Sequence, residues 1–189
     1  TCSVPSAAHW CDTCAQTSSA LLHAIAALRT VRMRRHALAA LLATAAALYK
    51  VDIHIAGRAP SPKSWEAAAV DEYAKRLRGQ IDVKTTWHKS GDQLEKSIAK
   101  MDSVICLSPE GKRVDSEGFS TLLYDALDKG GSRLCLCIGP AEGFTDELRG
   151  RASLLSLSDL TLPHQLARVV LAEQVYRAAE IRRGSGYHK

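Results

Sequence analysis

The chain reads Arg133-Leu-Cys-Leu-Cys-Ile-Gly139, then Pro140-Ala-Glu-Gly-Phe144, and a little further on Leu154-Leu-Ser-Leu-Ser-Asp-Leu-Thr-Leu-Pro-His164. Alternating Leu134, Leu136 and Ile138 predict a strand. Gly139, Pro140 and Gly143 follow it, residue types that open sharp turns and bare the backbone. A second short strand is expected at Leu154 to Leu157, and Pro163 suits the start of the helix after it. In an open α/β sheet, ligands bind at loops leaving the carboxyl ends of strands, where backbone N–H and C=O groups are unpaired. These two turns therefore make one candidate pocket. It is not an ordinary nucleotide site, because no G-x-G-x-x-G opens the first strand–helix unit and no P-loop lysine follows a glycine-rich turn.

Outward from that stretch, strand and helix alternate. Val51, Ile53 and Ile55 form one face of a first strand that stops at Gly57. Ser61 is expected to cap a helix with Pro62 at its first position, and Trp65, Ala69, Tyr73 and Leu77 recur along a stripe expected to face the core. Lys75, Arg76 and Arg78 lie on its far side, as a solvated face or a phosphate contact. Ile81, Val83, Thr85 and Trp87 alternate as a second strand, and Ser90 with Gln93 forms a capping box before Leu94, Ile98 and Met101. The apolar run Val104 to Leu107 predicts an interior strand, followed by a polar turn, Ser108 to Arg113. Ser116 is expected to cap a helix built on Phe119, Leu122, Leu123, Ala126 and Leu127, closed by Gly130 and Gly131. A short helix at 145–151 precedes the Leu154 strand. This alternation predicts an α/β domain with a mostly parallel sheet and helices on both faces.

The last helix, His164 to about Arg182, carries two apolar stripes: Leu166, Val169 and Val170, and Leu171, Val175 and Ala178. One stripe suffices for packing on a sheet, so the second predicts burial against a symmetric partner helix. Glu173 and Arg177, four apart, are placed to pair.

The 189 residues suffice for one domain of ordinary size plus a tail. Net charge is +5, of which the Arg-rich residues 1–47 contribute +3, so the body is only mildly basic and its charge alone decides little about nucleic-acid binding. Residues 1–47 are rich in Ala, Ser, Leu and Arg with Asp12 as the only acid, a composition that predicts an organelle-targeting segment or an extension without a role. The apolar run from Ala37 to Tyr49 is short of the roughly twenty residues that cross a bilayer, so no membrane span is expected. Cys106, Cys135 and Cys137 fall in expected central strands as buried reduced thiols. Cys11-Asp-Thr-Cys14 has no second ligand pair at zinc spacing, so no metal is expected.

The two turns, together with Glu72-Tyr-Ala-Lys-Arg-Leu77, Tyr176-Arg177 and the terminal Gly186-Tyr-His-Lys189, resemble the RlmH family of SPOUT-superfamily RNA methyltransferases, in its plant or algal organelle form. The resemblance runs from about Lys50 to Lys189. It implies a carboxyl-terminal trefoil knot, an exception to the rule that chains avoid threading loops, and a domain over residues 48–189. It implies S-adenosylmethionine bound in the knot by Leu107, Gly139, Leu157, Ser158, Asp159, Leu160, Thr161 and Leu162, and transfer of methyl to N3 of a pseudouridine in large-subunit ribosomal RNA. It also implies a homodimer joined by its last helices, in which Tyr187, His188 and Lys189 of one copy complete the site of the other, and delivery to a chloroplast or, alternatively, a mitochondrion.

His164 and Arg168 stand at the mouth of the last helix, where a helix amino terminus and a cation meet an RNA phosphate, although a capping role for His164 fits equally. His188, Lys189 and Glu142 are the candidates for deprotonating the acceptor or stabilising its anion. Two departures from the family pattern stand out. Pro140 replaces the second glycine of the first turn and removes its N–H, and Ser108 replaces an aspartate. They keep open an alternative, a non-catalytic ribosome- or RNA-binding descendant.

Overall fold

The structure, a computed structural model, describes residues 49–189. The expectations for residues 1–47, including Cys11 and Cys14, lie outside them. Strands β1 (Tyr49–Ala56), β2 (Ile81–His88), β3 (Val104–Arg113), β4 (Arg133–Ile138) and β5 (Ser153–Ser156) form one sheet in the order β2-β1-β4-β3-β5, with every pairing parallel. Among the described residues four helices connect them, α1 (Trp65–Arg76), α2 (Gly91–Ile98), α3 (Ser116–Lys129) and α4 (Asp146–Arg151), and α5 (His164–Arg182) follows β5.

A parallel sheet must be covered on both faces, and two apolar clusters do this. On one face, Phe119, Leu123 and Leu127 of α3 and Leu171, Val175 and Ala178 of α5 pack with Leu77, which follows α1, against Val51, Ile53, Ile55, Leu134 and Leu136. On the other, Leu94 and Ile98 of α2 and Leu148 of α4 meet Val104, Cys106, Cys135 and Cys137. Each fully buried Leu or Ile contributes about 1.5–3 kcal/mol. The three thiols are free and buried, as expected; the Cys135 and Cys137 sulfurs lie 3.5 Å apart, and hydrogen bonding with Cys106 and Cys135 together with burial pushes the Cys137 thiol far up. Of the two stripes on α5, the one through Leu171 and Val175 faces the sheet. Leu166 stays 37% exposed, and Val169 and Val170 are less well covered than the sheet-facing stripe.

Several local expectations are corrected. Ser61 does not cap α1: its carbonyl accepts the Ser64 N–H and its hydroxyl the Lys63 N–H, closing a turn around Pro62, and Ser64 caps the helix by accepting from Ala67. Trp65, at the helix start, is 63% exposed, so the stripe reaches the core only towards Leu77. Asp115, not Ser116, caps α3, its carboxylate accepting the Gly118 N–H at 2.7 Å. The Ser90 cap of α2 stands, but the Gln93 side chain reaches back to Lys89 rather than Ser90.

The largest correction concerns Ser108 to Arg113, which is not a turn. β3 continues through it and pairs again with β5: Leu107 and Lys112 both register with Leu155, leaving an irregularity of four residues between them. Gly111 makes this possible, because a Cβ there would lie 2.4 Å from the Leu155 backbone nitrogen.

A histidine pair ties β1, β2 and α2 together. His54 Nδ1 and His88 Nε2 lie 2.9 Å apart with nearly parallel rings, and the Ser97 hydroxyl is 3.3 and 3.4 Å from the same two nitrogens while donating to the Leu94 carbonyl. Burial, and for His54 also the neighbouring His88, depresses both imidazoles below the ordinary 6.5. The unfolded chain therefore binds more protons below that value, so this contribution to stability is complete above about pH 6.5 and is lost as the pH falls through the depressed values. Melting scans between pH 7.5 and 5.5 should show Tm falling on acidification, with a shallower slope in His54→Val. An unchanged slope in the variant would show that the pair does not couple to folding.

Candidate functional site

Strands β4, β3 and β5 are neighbours, so the segments leaving the carboxyl ends of β4 and β5 converge beside the irregular stretch of β3 that begins at Leu107. Between them lies a cavity of about 580 Å³, within the range of roughly 300–1,000 Å³ usual for small-ligand pockets. All eight residues expected to hold a cofactor line it: Leu107, Gly139, and Leu157, Ser158, Asp159, Leu160, Thr161 and Leu162. Ile138, Phe144, Leu155 and Ala167 add apolar wall.

The loops are held in shape locally. Phe144 folds its ring back over Gly139, where a Cβ would meet the ring at 2.8 Å. The Ser158 hydroxyl accepts the Leu160 N–H while the Ser158 carbonyl accepts from the Ser156 hydroxyl, which turns the second loop tightly. The continued β3 braces the rim from outside: Arg113 pairs with Asp159 at 2.6 Å, and Glu110 pairs with Arg149 on α4. The Arg113 pair is exposed, so its net contribution to stability is small. Leu160 is 74% exposed, a large apolar side chain at the cavity edge. Leucine walls, loop backbone and a glycine cradle suit a ligand with an apolar ring system and polar edges; among the described residues no cluster of three or more metal-ligating side chains exists.

A second, open concavity of about 670 Å³ lies on the other side of the Pro140–Phe144 turn, bounded by Gly57, Lys89 to Asp92, Glu95, Thr145 and His164. The two share Pro140, Ala141, Gly143, Phe144 and His164 as a common wall. Glu142 faces only the second one.

The remaining candidates are elsewhere. Arg168 is 5% exposed, its guanidinium 5.3 Å from the Trp87 ring, with Nε and Nη2 lacking any hydrogen-bond partner among the described residues. Burial lowers its pKa, offset in part by Glu66 and Asp71. Within a single chain its guanidinium therefore packs against Trp87 and is not presented at the surface. Tyr187 and His188 line neither concavity. Tyr187 donates to Glu173 at 3.1 Å and packs edge-on to Tyr176, while His188 lies 3.3 Å from Arg177 and 3.7 Å from Glu117. Glu173 also accepts from Arg177 at 2.7 Å, the expected pair, so one carboxylate anchors both helix and tail. That bond raises the Arg177 pKa, and burial followed by the Glu173 bond raises that of Tyr187. Lys189 is exposed.

Residues 50–188 match a family model described as "Predicted SPOUT methyltransferase". The chain belongs to the SPOUT methyltransferase family. Among curated SPOUT relatives, "Ribosomal RNA large subunit methyltransferase H" of Protochlamydia amoebophila is 42% identical over 127 residues, covering 67% of this chain and 91% of the relative. The protein of that name from Parasynechococcus marenigrum is 43% identical over 131 residues, covering 67% and 89%. That from Streptococcus equi subsp. zooepidemicus is 48% identical over 102 residues, covering 53% and 64%. The five-stranded parallel sheet agrees with membership of the SPOUT family, and with the resemblance read from the two turns.

Some of the site is not visible in the sequence. Pro109 enters the cavity because β3 continues past Leu107, and Ala167 because α5 begins at its mouth. Glu95, which accepts both the N–H and the hydroxyl of Thr145, carries no sequence signal, since nothing local marks a bond across fifty residues.

Proposed function

We propose that this chain is an S-adenosylmethionine-dependent methyltransferase acting on N3 of a pseudouridine in large-subunit ribosomal RNA. The observation that carries the reading is the convergence of Leu107, Gly139 and the Leu157–Leu162 loop on one cavity. The names of the relatives support the substrate class.

When bound, S-adenosylmethionine supplies an electrophilic methyl group on a sulfonium. The leucines of the second loop wall an apolar slot, and the loop backbone offers donors and acceptors to the edge of a purine. Phe144 over Gly139 keeps the first turn closed, and Pro140 gives it no N–H to donate. The acceptor base is assigned to the second concavity, because a reacting atom must come within about 3–3.5 Å of the transferred methyl and the two spaces share one wall. Of the candidates Glu142, His188 and Lys189, Glu142 is the one that lines that space within a single subunit, where it could accept the imide proton. Alignment of this kind is worth up to about 7–11 kcal/mol of barrier.

The working form is a homodimer. Leu166 remains exposed on α5, with Val169 and Val170 beside it on the same stripe; Nε and Nη2 of Arg168 have no hydrogen-bond partner among the described residues, and the tail docks away from its own cavity. A second copy would cover the stripe and bring Tyr187, His188 and Lys189 to the site, where the latter two join Glu142 as candidates for proton transfer or charge stabilisation. Delivery to a chloroplast, with a mitochondrion as the alternative, rests on the Arg-rich, acid-poor residues 1–47. No described helix is long and apolar enough to cross a membrane.

The test is methyl transfer from radiolabelled S-adenosylmethionine to ribosomes that lack the modification. Label in large-subunit rRNA, lost in Glu142→Gln or on removal of Tyr187–Lys189, is the expected outcome. Ribosome binding with no transfer would favour the alternative, a non-catalytic ribosome- or RNA-binding descendant, for which Pro140 in place of a glycine and Ser108 in place of an aspartate are the motivating observations.

A further inference from the structure

The turn between the two concavities is held from behind by α2. Gly91 opens α2, directly after its cap Ser90, and a Cβ there would lie 2.9 Å from Pro140 Cγ and 3.4 Å from its Cδ. A proline ring is tied to its own backbone and can relieve a contact only by a change of pucker, so a side chain at 91 presses on the Pro140 turn. One turn further along α2, Glu95 accepts the Thr145 N–H at 3.0 Å and the Thr145 hydroxyl at 2.5 Å. The same hydroxyl accepts the Leu148 N–H and so caps α4. Charge-assisted bonds of this kind are about twice as strong as neutral ones. The turn that carries Gly139 and Phe144 is thus seated at both ends: on the bare Cα of Gly91 and on the carboxylate of Glu95.

We propose that Gly91 and Glu95 are positioning residues for the methyl-donor pocket, Gly91 making room for the Pro140 ring and Glu95 fixing Thr145, so that α2 sets the Pro140–Phe144 wall. This rests on the reading of the 580 Å³ cavity as the donor site. It also gives Pro140 a definite meaning. The ring that replaces a glycine in this chain is accommodated, and the accommodation is a pairwise dependence between positions 91 and 140. Because α2 and the turn are the two sides of the second concavity, the same contacts join the walls of both spaces.

The experiment is a double-mutant cycle on the full chain, with Gly91→Ala, Pro140→Gly and both together, read by S-adenosylmethionine titration, by Tm, and by hydrogen exchange at the Thr145 amide. Glycine in a helix is otherwise no better than alanine. Gly91→Ala should therefore weaken binding by about tenfold with Pro140 present and by less than about twofold in the Pro140→Gly background, a non-additive pair in direct contact. Thr145 exchange should quicken in Gly91→Ala and return to the wild-type rate in the double variant, with Tm changed little throughout. Glu95→Ala should quicken it as well, with Glu95→Gln between, since the amide oxygen retains one acceptor. Equal effects of Gly91→Ala in both backgrounds, or an unchanged Thr145 rate in Gly91→Ala and Glu95→Ala, would overturn the proposal. If the wild-type chain binds no S-adenosylmethionine, the donor-site reading fails, while the exchange data still decide whether α2 seats the turn.

Discussion

Gly139→Val is expected to lower affinity for S-adenosylmethionine by at least about 100-fold, the equivalent of some 2.7 kcal/mol. The position is buried at the end of β4, and even a first side-chain carbon would lie 2.8–3.0 Å from three atoms of the Phe144 ring. A branched side chain must expel that ring, which is itself wall of the cavity, or move the turn that carries it. Overpacking of this kind costs typically about 1–3 kcal/mol of stability, so the variant should still fold. Titration with the cofactor and a melting curve on the same sample separate the two effects. Wild-type affinity in a folded Gly139→Val protein would place the donor somewhere else.

The second large effect falls at Gly111. A Cβ there would lie 2.4 and 2.5 Å from the backbone nitrogen and carbonyl carbon of Leu155 and 2.7 Å from that of Leu154. All three are backbone atoms of an adjacent strand, which cannot rotate away. Gly111→Val must therefore open the second pairing of β3 with β5, releasing the brace of Arg113 on Asp159. A loss of about 3–5 kcal/mol is expected, placing it among the severe single substitutions. For a domain of this size that is a fall in Tm of roughly 10–20 °C. Gly150→Ala supplies the control, because nothing lies within 4 Å of the added carbon and the site is helical. It should be neutral or stabilising by up to about 1 kcal/mol. A Gly111→Val protein that melts with the wild type would show that the irregular pairing contributes nothing.

What the sequence discloses, and what it hides, divides along locality. The alternation in Val51, Ile53 and Ile55, the apolar run at Val104, and the stripe Leu171, Val175 and Ala178 report a strand or helix from neighbours alone, and each lies in the core. The continuation of β3 through Ser108–Arg113 depends on an approach between Gly111 and Leu155, more than forty residues apart, and its polar composition reads as a turn. The helix starts fall at Ser64 and Asp115 although Ser61 and Ser116 offer equally good caps, and only the turn around Pro62 and the Asp115 carboxylate's bond to Gly118 choose between them.

The site divides in the same way. Leu107, Gly139 and the Leu157–Leu162 loop are marked by a family resemblance, and their meeting in one cavity follows from β4, β3 and β5 being neighbours. The burial of Arg168 against Trp87, the docking of Tyr187 on Glu173, and the seat of Pro140 on Gly91 depend on which surfaces meet, which no periodicity encodes.

The central claim is that the cavity walled by Leu107, Gly139 and the Leu157–Leu162 loop holds the methyl donor. Calorimetric titration of the full chain with S-adenosylmethionine tests it most directly, with the oligomeric state measured by light scattering on the same sample. The predicted result is saturable binding of about one molecule per chain in a dimer, weakened at least about 100-fold in Gly139→Val. Absence of heat at millimolar cofactor from a folded wild-type dimer would contradict it.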